Sequence, residues 1–357
     1  MCPPKAHCYA LMAESNVTPG LAYKVEDRSL LLPAYRALLV SPLLRFIPAR
    51  VHPNSITHAG HFLNLLGVAT LVMMWPRPGW PYIVAAIGVQ LYNFCDNADG
   101  AHARRTGQCS AMGEFLDHGL DMLNVTYIGY MGALAIGATG LWAMALTLVI
   151  PMAACATYWE QAETGVFHLG RLNQIEALTC LSSVLLVTGV FGIEVWDKFA
   201  LPGLPAVTAR VVVMLFVSGV SLFGILHGVW RVKNVRGWSK VTPIVPLAVF
   251  NVTAAAVTAV GAGSVVAAVI VGTAGNVFFG LRMLSLRLHG ERPRTEYWLG
   301  TFTLALAALI AWRLHGRPVG FMSDAWFAAM SGVVFGGLAL VHAREGVKRV
   351  TLLDASR

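Results

Sequence analysis

The sequence predicts an all-α polytopic membrane protein of about ten transmembrane helices, with an N-terminal amphipathic interfacial helix and cytoplasmic N and C termini. Three observations predict it. Of 357 residues, 56% are hydrophobic and 12% charged, with a mean hydropathy of +0.63, whereas a soluble domain carries about 25% charged residues. Ten apolar segments can be drawn, each near the ~20 residues needed to cross a bilayer. The basic residues are unevenly shared between the connecting loops, and such a bias sets orientation.

Residues 1–20 read as a disordered N-terminus, with Met12 as a second candidate start. No continuous apolar core precedes a small-residue cleavage site, so no signal peptide is expected. In 21–53, Leu30, Leu31, Leu38, Leu39 and Leu44 alternate with Lys24, Arg28, Arg36, Arg45 and Arg50. That pattern suits one or two helices lying on the cytoplasmic membrane surface. Pro33 and Pro42, with the charges, argue against a first span here. The apolar segments follow at about 55–75, 80–97, 113–138, 141–158, 173–193, 205–230, 242–261, 263–286, 297–313 and 322–343.

With both termini inside, the cytoplasmic side collects most of the 26 Lys and Arg. It holds the six of the N-terminus, Arg104 and Arg105, Arg171, the four between Arg231 and Lys240, the four between Arg282 and Arg294, and the last four of the chain. Only Arg77, Lys198, Arg210, Arg313 and Arg317 fall on or near the other side. The net charge of +8 then reflects loops facing anionic lipid. No nucleic-acid module is present in the pattern. Six cysteines are scattered without CxxC spacing, and Cys95, Cys155 and Cys180 lie in apolar runs. Buried thiols are expected, rather than a disulfide framework or a zinc site.

The chain is organised around residues 96–121, DNADGAHARRTGQCSAMGEFLDHGLD. Asp96 and Asp99 are three apart, Asp117 and Asp121 four apart, and each spacing places a pair on one helix face. A helix is expected to stop after Asp99, turn through Gly107 and restart between Ser110 and Gly113. Two helices so joined direct four carboxylates into one cleft. Such charges repel unless a cation lies among them, and hard oxygen ligands suit Mg²⁺ or Mn²⁺. The flanking runs 84–94 and 122–136 are apolar at membrane-span scale, and intramembrane acids mark function. The charge bias puts them at the cytoplasmic end of spans two and three.

The pattern D-x2-D-G-x2-A-R-x8-G-x3-D-x3-D is filled by Asp96, Asp99, Gly100, Ala103, Arg104, Gly113, Asp117 and Asp121. It resembles the signature of the CDP-alcohol phosphotransferase family, with no departure. The D-H-G-x-D form around His118 resembles the choline/ethanolamine phosphotransferase branch. So do Tyr23, Lys24, Asp27, Ser29, Leu30 and Leu31 near the N-terminus, and Trp159, Glu160, Thr164 and Gly165 after the fourth span. The resemblance covers roughly 21–180. It implies a Mg²⁺-dependent transfer of phosphocholine or phosphoethanolamine from CDP-choline or CDP-ethanolamine to diacylglycerol, with release of CMP. It also implies two metal ions per site on the four aspartates, a homodimer, and an active site at the cytoplasmic face of a bacterial inner membrane or of the endoplasmic reticulum.

Arg104 offers a fork for the diphosphate, and Gly100, Ala103 and Gly113 are small where a nucleotide approaches backbone. Pro53-Asn54-Ser55-Ile56-Thr57 resembles a P-N-x-I-T stretch that lies at the family's cytidine pocket, which implies Asn54 as the cytidine contact, with helix capping as its alternative role. His118 is the candidate base, oriented by Glu176 in the branch that the sequence resembles. Asp121 is the base usually assigned in the broader family. Glu114 is a possible metal helper, and His102 is expected to meet solvent or headgroups. By this reading 54–200 are the catalytic helices, 201–345 C-terminal spans for a lipid cavity or dimerisation, and 346–357 a cytoplasmic tail. A CDP-diacylglycerol-dependent transferase with a small alcohol acceptor is the runner-up, and a cation transporter the remote alternative.

Overall fold

The computed structural model describes residues 24–260, 265–295, 297–316, 337, 340–341 and 343–352. The expectation for residues 1–20 lies outside them, and so does most of the tenth apolar segment. The described chain begins with strand β1 (Lys24–Asp27) and helix α1 (Leu32–Leu44). Long helices follow: α2 (Pro53–Met74), α3 (Trp80–Thr106), α4 (Ala111–Ala135) and α5 (Gly140–Thr164). Strand β2 (Val166–Leu169) precedes α6 (Gln174–Phe191), and a short helix α7 (Val195–Lys198) leads into strands β3 (Ala200–Leu201) and β4 (Leu204–Thr208). Then come α8 (Ala209–Arg236), α9 (Val245–Ala259), α10 (Val265–Leu288) and α11 (Tyr297–Leu314).

Among the described residues six helices are long and apolar enough to cross a membrane, namely α2, α5, α6, α8, the stretch ending in α9, and α10. This is a multi-pass membrane protein. Helices α3 and α4 are equally long, but they carry the acids and arginines of the 96–121 stretch, which lower their hydropathy.

Two small sheets qualify the all-α expectation. β1 pairs in parallel with β2, from Lys24 opposite Val166 to Asp27 opposite Leu169. β3 and β4 form an antiparallel hairpin. The N-terminal segment is therefore a strand before it is a helix, because its backbone groups find a partner just past α5. In α1, Leu38, Leu39 and Leu43 are exposed, while Leu32 and Val40 are buried.

The α3–α4 hairpin differs from the expected form. α3 runs on through Asp99 to Thr106 and ends at Gly107, whose φ of 71° is left-handed, a conformation glycine adopts without strain. Ser110 caps α4, its Oγ accepting from the Gly113 N–H at 2.9 Å. Gly60 lets α2 and α3 meet: a Cβ there would lie 2.6 Å from the Cys95 Cβ.

The core has two main parts. Leu71, Tyr82, Val89, Met131, Leu178 and Leu185 join α2, α3, α4 and α6. Phe115, Met122, Leu148, Trp159, Phe250, Phe278, Phe279 and Val350 join α4 and α5 to α9, α10 and the C-terminal stretch. The C-terminal helices thus pack directly on the acid-bearing α4. Cys95 and Cys155 are buried free thiols, as expected, but Cys180 is exposed, and Cys109 is disulfide-bonded, which the cysteine spacing does not indicate.

Candidate active site

The hairpin brings acids together because α3 and α4 each offer one face to the same gap. Carboxylate oxygens of Asp96, Asp117 and Asp121 lie within 4.8 Å of one another. Three hard oxygen donors at that spacing fit a divalent cation such as Mg²⁺ or Mn²⁺. Asp99 stands apart from the three: its Oδ2 accepts from Thr57 Oγ1 at 2.5 Å and its Oδ1 from the Gly100 N–H at 2.5 Å.

A small polar cleft opens beside the acids, between the start of α2, the end of α3 and the start of α4. Asn54, Asp99, Gly100, Ala103, Arg104, Gly113 and Asp117 all line it, so the structure gathers every residue expected to contact the nucleotide. Arg104 lies back over Gly100, where a Cβ would meet its Nη1 at 3.4 Å. Across the cleft, a Cβ at Gly113 would meet Asn54 Oδ1 at 3.4 Å. His52, not Asn54, caps α2, its side chain accepting from the Asn54 N–H at 3.2 Å. The N-terminal ends of α2 and α4 both open on this cleft and favour an anion there.

On the other side lies a cavity of about 880 Å³, lined by apolar groups such as Val125, Ile128, Ala154, Tyr158, Leu178 and Phe223. Asp121 and Tyr92 form part of its wall, and Arg28, His168, Arg171 and Arg231 part of its polar lining. Asp117 faces the small cleft and Asp121 the large cavity, so one carboxylate cluster separates the two.

His118 lies beside Asp121 and Tyr158, two residues of the cavity wall. Its Nδ1 is 3.8 Å from Asp121 Oδ2, and its ring meets Tyr158 edge-on at 5.6 Å between centroids. Tyr92 donates from its hydroxyl to Asp121 Oδ1 at 2.6 Å and accepts from Gln174 Nε2 at 3.1 Å. His61 Nε2 lies 3.9 Å from the same Asp121 oxygen. Sequence reasoning missed Tyr92 and His61. Tyr92 precedes Asp96 by one helical turn, a spacing that shares a face, and that signal was available.

Residues 50–215 match the family described as CDP-alcohol phosphatidyltransferase. It is similar to cholinephosphotransferase 1 of mouse, 32% identical over 200 residues that cover 52% of this chain and 50% of the relative. The chicken protein of that name is 32% identical over 212 residues, covering 56% and 62%. The human one is 29% identical over 185 residues, covering 50% and 45%. The chain spans about half the length of these curated relatives.

The matched stretch, residues 50–215, holds all four aspartates, and four further residues are placed around them. Glu176 is not directed at His118. Its Oε1 accepts from Ser29 Oγ at 2.7 Å and from the N–H groups of Leu30 and Leu31 at 2.8 and 2.9 Å. Its Oε2 accepts from the Asn173 N–H at 3.0 Å, completing a capping box on α6. Both oxygens therefore anchor helix starts. Glu114 forms a buried ion pair with Arg287 of α10 and also lines the cleft beside Asp117. His102 is fully buried, with Nε2 2.8 Å from Val51 O and Nδ1 2.9 Å from Arg105 Nη2. Arg105, read as a loop cation, donates to the carbonyls of Leu44 and Ile47 at 2.7 and 2.6 Å, closing the C-terminal end of α1.

Helix α1 packs beside the acid-bearing stretch of α3, with Val40 against Cys95 and Ala98. Burial, and then the charge of Asp96, push the Tyr35 phenol up to about 12, so Tyr35 stays a neutral hydroxyl there.

Proposed function

We propose that this protein transfers phosphocholine or phosphoethanolamine from CDP-choline or CDP-ethanolamine to diacylglycerol, releasing CMP and forming a phospholipid. One observation carries the reading: the carboxylate cluster is the shared wall of a polar cleft and a large apolar cavity. A reaction between a nucleotide and a lipid needs that juxtaposition. About 880 Å³ lies in the range of small-molecule sites and suits a glycerol backbone with the start of its acyl chains. The names of the relatives support the same chemistry.

Asp96, Asp117 and Asp121 would hold Mg²⁺, with Mn²⁺ as a substitute. A second ion, which the signature implies, would draw on Asp99. Bound divalent ions neutralise the diphosphate and the departing phosphate oxygen. Arg104 contacts the diphosphate with its fork, and Asn54 meets the cytidine. Gly100, Ala103 and Gly113 leave the backbone open to approach. His118 accepts the proton of the lipid hydroxyl as its oxygen bonds to the β-phosphorus. The bond from that phosphorus to the bridging oxygen breaks, and the electron pair leaves with CMP. Asp121, held by Tyr92, faces the His118 ring and stabilises it once protonated.

The ten spans and cytoplasmic termini belong to the same proposal, supported by the basic-residue bias; a homodimer in an inner or endoplasmic-reticulum membrane belongs to it through the family resemblance alone. Purified protein in lipid nanodiscs with Mg²⁺ tests the reading. CMP should appear from CDP-choline or CDP-ethanolamine with diacylglycerol. CMP appearing only from CDP-diacylglycerol and a small alcohol would overturn it.

A further inference from the structure

Helix α1 lies on the acid-bearing stretch of α3. Its Val40 is buried with Ile56, Cys95 and Ala98, and Tyr35 packs on the same cluster. Cys95 and Ala98 adjoin Asp96 and Asp99 in sequence. The helix is fastened at both ends, by Glu176 at Leu30 and Leu31 and by Arg105 at Leu44 and Ile47. More is invested in its placement than a membrane anchor requires.

Arg36 follows Tyr35 and opens a π-turn, Arg36–Val40. Its Nη2 is buried and has no hydrogen-bond acceptor among the described residues. Burial, and then the nearby Arg104, lower its proton affinity, while Asp27 and Asp96 act the other way. Asp27 is an incomplete partner, since its Oδ1 already accepts from Ser29 N–H and Asn173 Nδ2. A buried guanidinium N–H without an acceptor is costly, and two guanidiniums drawn together repel. A phosphate oxygen resolves both, and a guanidinium fork matches its geometry better than an ammonium does.

We propose that Arg36 is a phosphate-binding residue of this site, carried by the interfacial helix to the diphosphate alongside Arg104. The inference rests on the CDP-alcohol reading above. By it, α1 is a wall of the nucleotide site as well as a membrane contact, and the residues that bind the diphosphate begin before the 96–121 signature.

The test compares wild type, Arg36→Gln and Arg36→Lys in nanodiscs. It measures Mg²⁺-dependent binding of CDP-choline and CMP, the KM for each substrate and the ligand-free unfolding temperature. Arg36→Gln should weaken CDP-choline binding at least about tenfold and raise its KM equally. The KM for diacylglycerol should not change, and the ligand-free unfolding temperature should not fall. Arg36→Lys should recover part of the loss. Binding by Arg36→Gln within twofold of wild type overturns the role of Arg36 and leaves the site reading standing. If Arg36→Gln does not fold, Arg36→Lys decides, and wild-type affinity in that variant overturns the role. Absence of Mg²⁺-dependent nucleotide binding in wild type overturns the site reading itself, and this inference with it.

Discussion

Ser29 donates a 2.7 Å hydrogen bond to Glu176 across 147 positions of sequence. The same oxygen takes the Leu30 and Leu31 N–H groups, and the other takes the Asn173 N–H. One carboxylate thus satisfies orphan donors at the starts of two helices, α1 and α6. Glu176→Ala should destabilise the protein by about 3 kcal/mol, from a lost capping box and lost charge-assisted bonds. Glu176→Gln, which keeps one acceptor, should cost less. Unfolding temperature without nucleotide checks this. A displaced pH–rate profile with unchanged unfolding would instead make Glu176 a partner of His118.

The acids make a sharper prediction. Three carboxylates sharing oxygens within 4.8 Å should depend on divalent ions both for activity and for nucleotide binding. Chelation should abolish CMP release, and Mg²⁺ should restore it. Asp117→Ala should lower turnover on the order of a thousandfold while the fold persists, since Asp117 lines an open cleft. Turnover that survives in Asp117→Ala would remove the metal assignment.

The acids were legible in sequence because each pair lies at helical spacing on its own helix. What surrounds them was not. Asp99 is hydrogen-bonded to Thr57, 42 positions away, and Glu114 is paired with Arg287, 173 positions away. Nothing in local periodicity announces such partners. The sequence predicts a helix stop after Asp99, yet α3 runs on through Gly100. A mid-helix glycine costs only about 1 kcal/mol, and here it makes room for Arg104. The N-terminal motif and the stretch after the fourth span were each recognisable, but their pairing as β1 and β2 is a tertiary fact. Hydropathy located the C-terminal helices and was silent about α10 meeting α4.

That contact can be weighed. Glu114 and Arg287 side chains are 8% and 6% exposed, so each charge depends chiefly on the other for compensation. Arg287→Met should cost about 3–5 kcal/mol by leaving a buried carboxylate unpaired. The double change Glu114→Leu with Arg287→Met should recover most of that loss, because an apolar pair of similar volume needs no compensation. A double-mutant cycle on unfolding temperature measures the coupling. Additive losses would mean the two side chains act separately.

The two-cavity arrangement predicts that lipid and nucleotide can be impaired independently. Ala154 and Gly224 line the large cavity, and neither lines the cleft that holds Asn54 and Arg104. Ala154→Trp would fill space between α5 and α8 without touching the aspartates. The expected result is a KM for diacylglycerol raised about tenfold or more, since each excluded methylene forfeits about 0.8 kcal/mol of burial. Mg²⁺-dependent binding of CMP should stay at the wild-type value. Short-chain diacylglycerol should suffer less than long-chain, because less of it must enter the narrowed space. Equal losses for nucleotide and lipid would show that the cavity is not a separate acceptor chamber, and the hydroxyl would then have to reach His118 by another route.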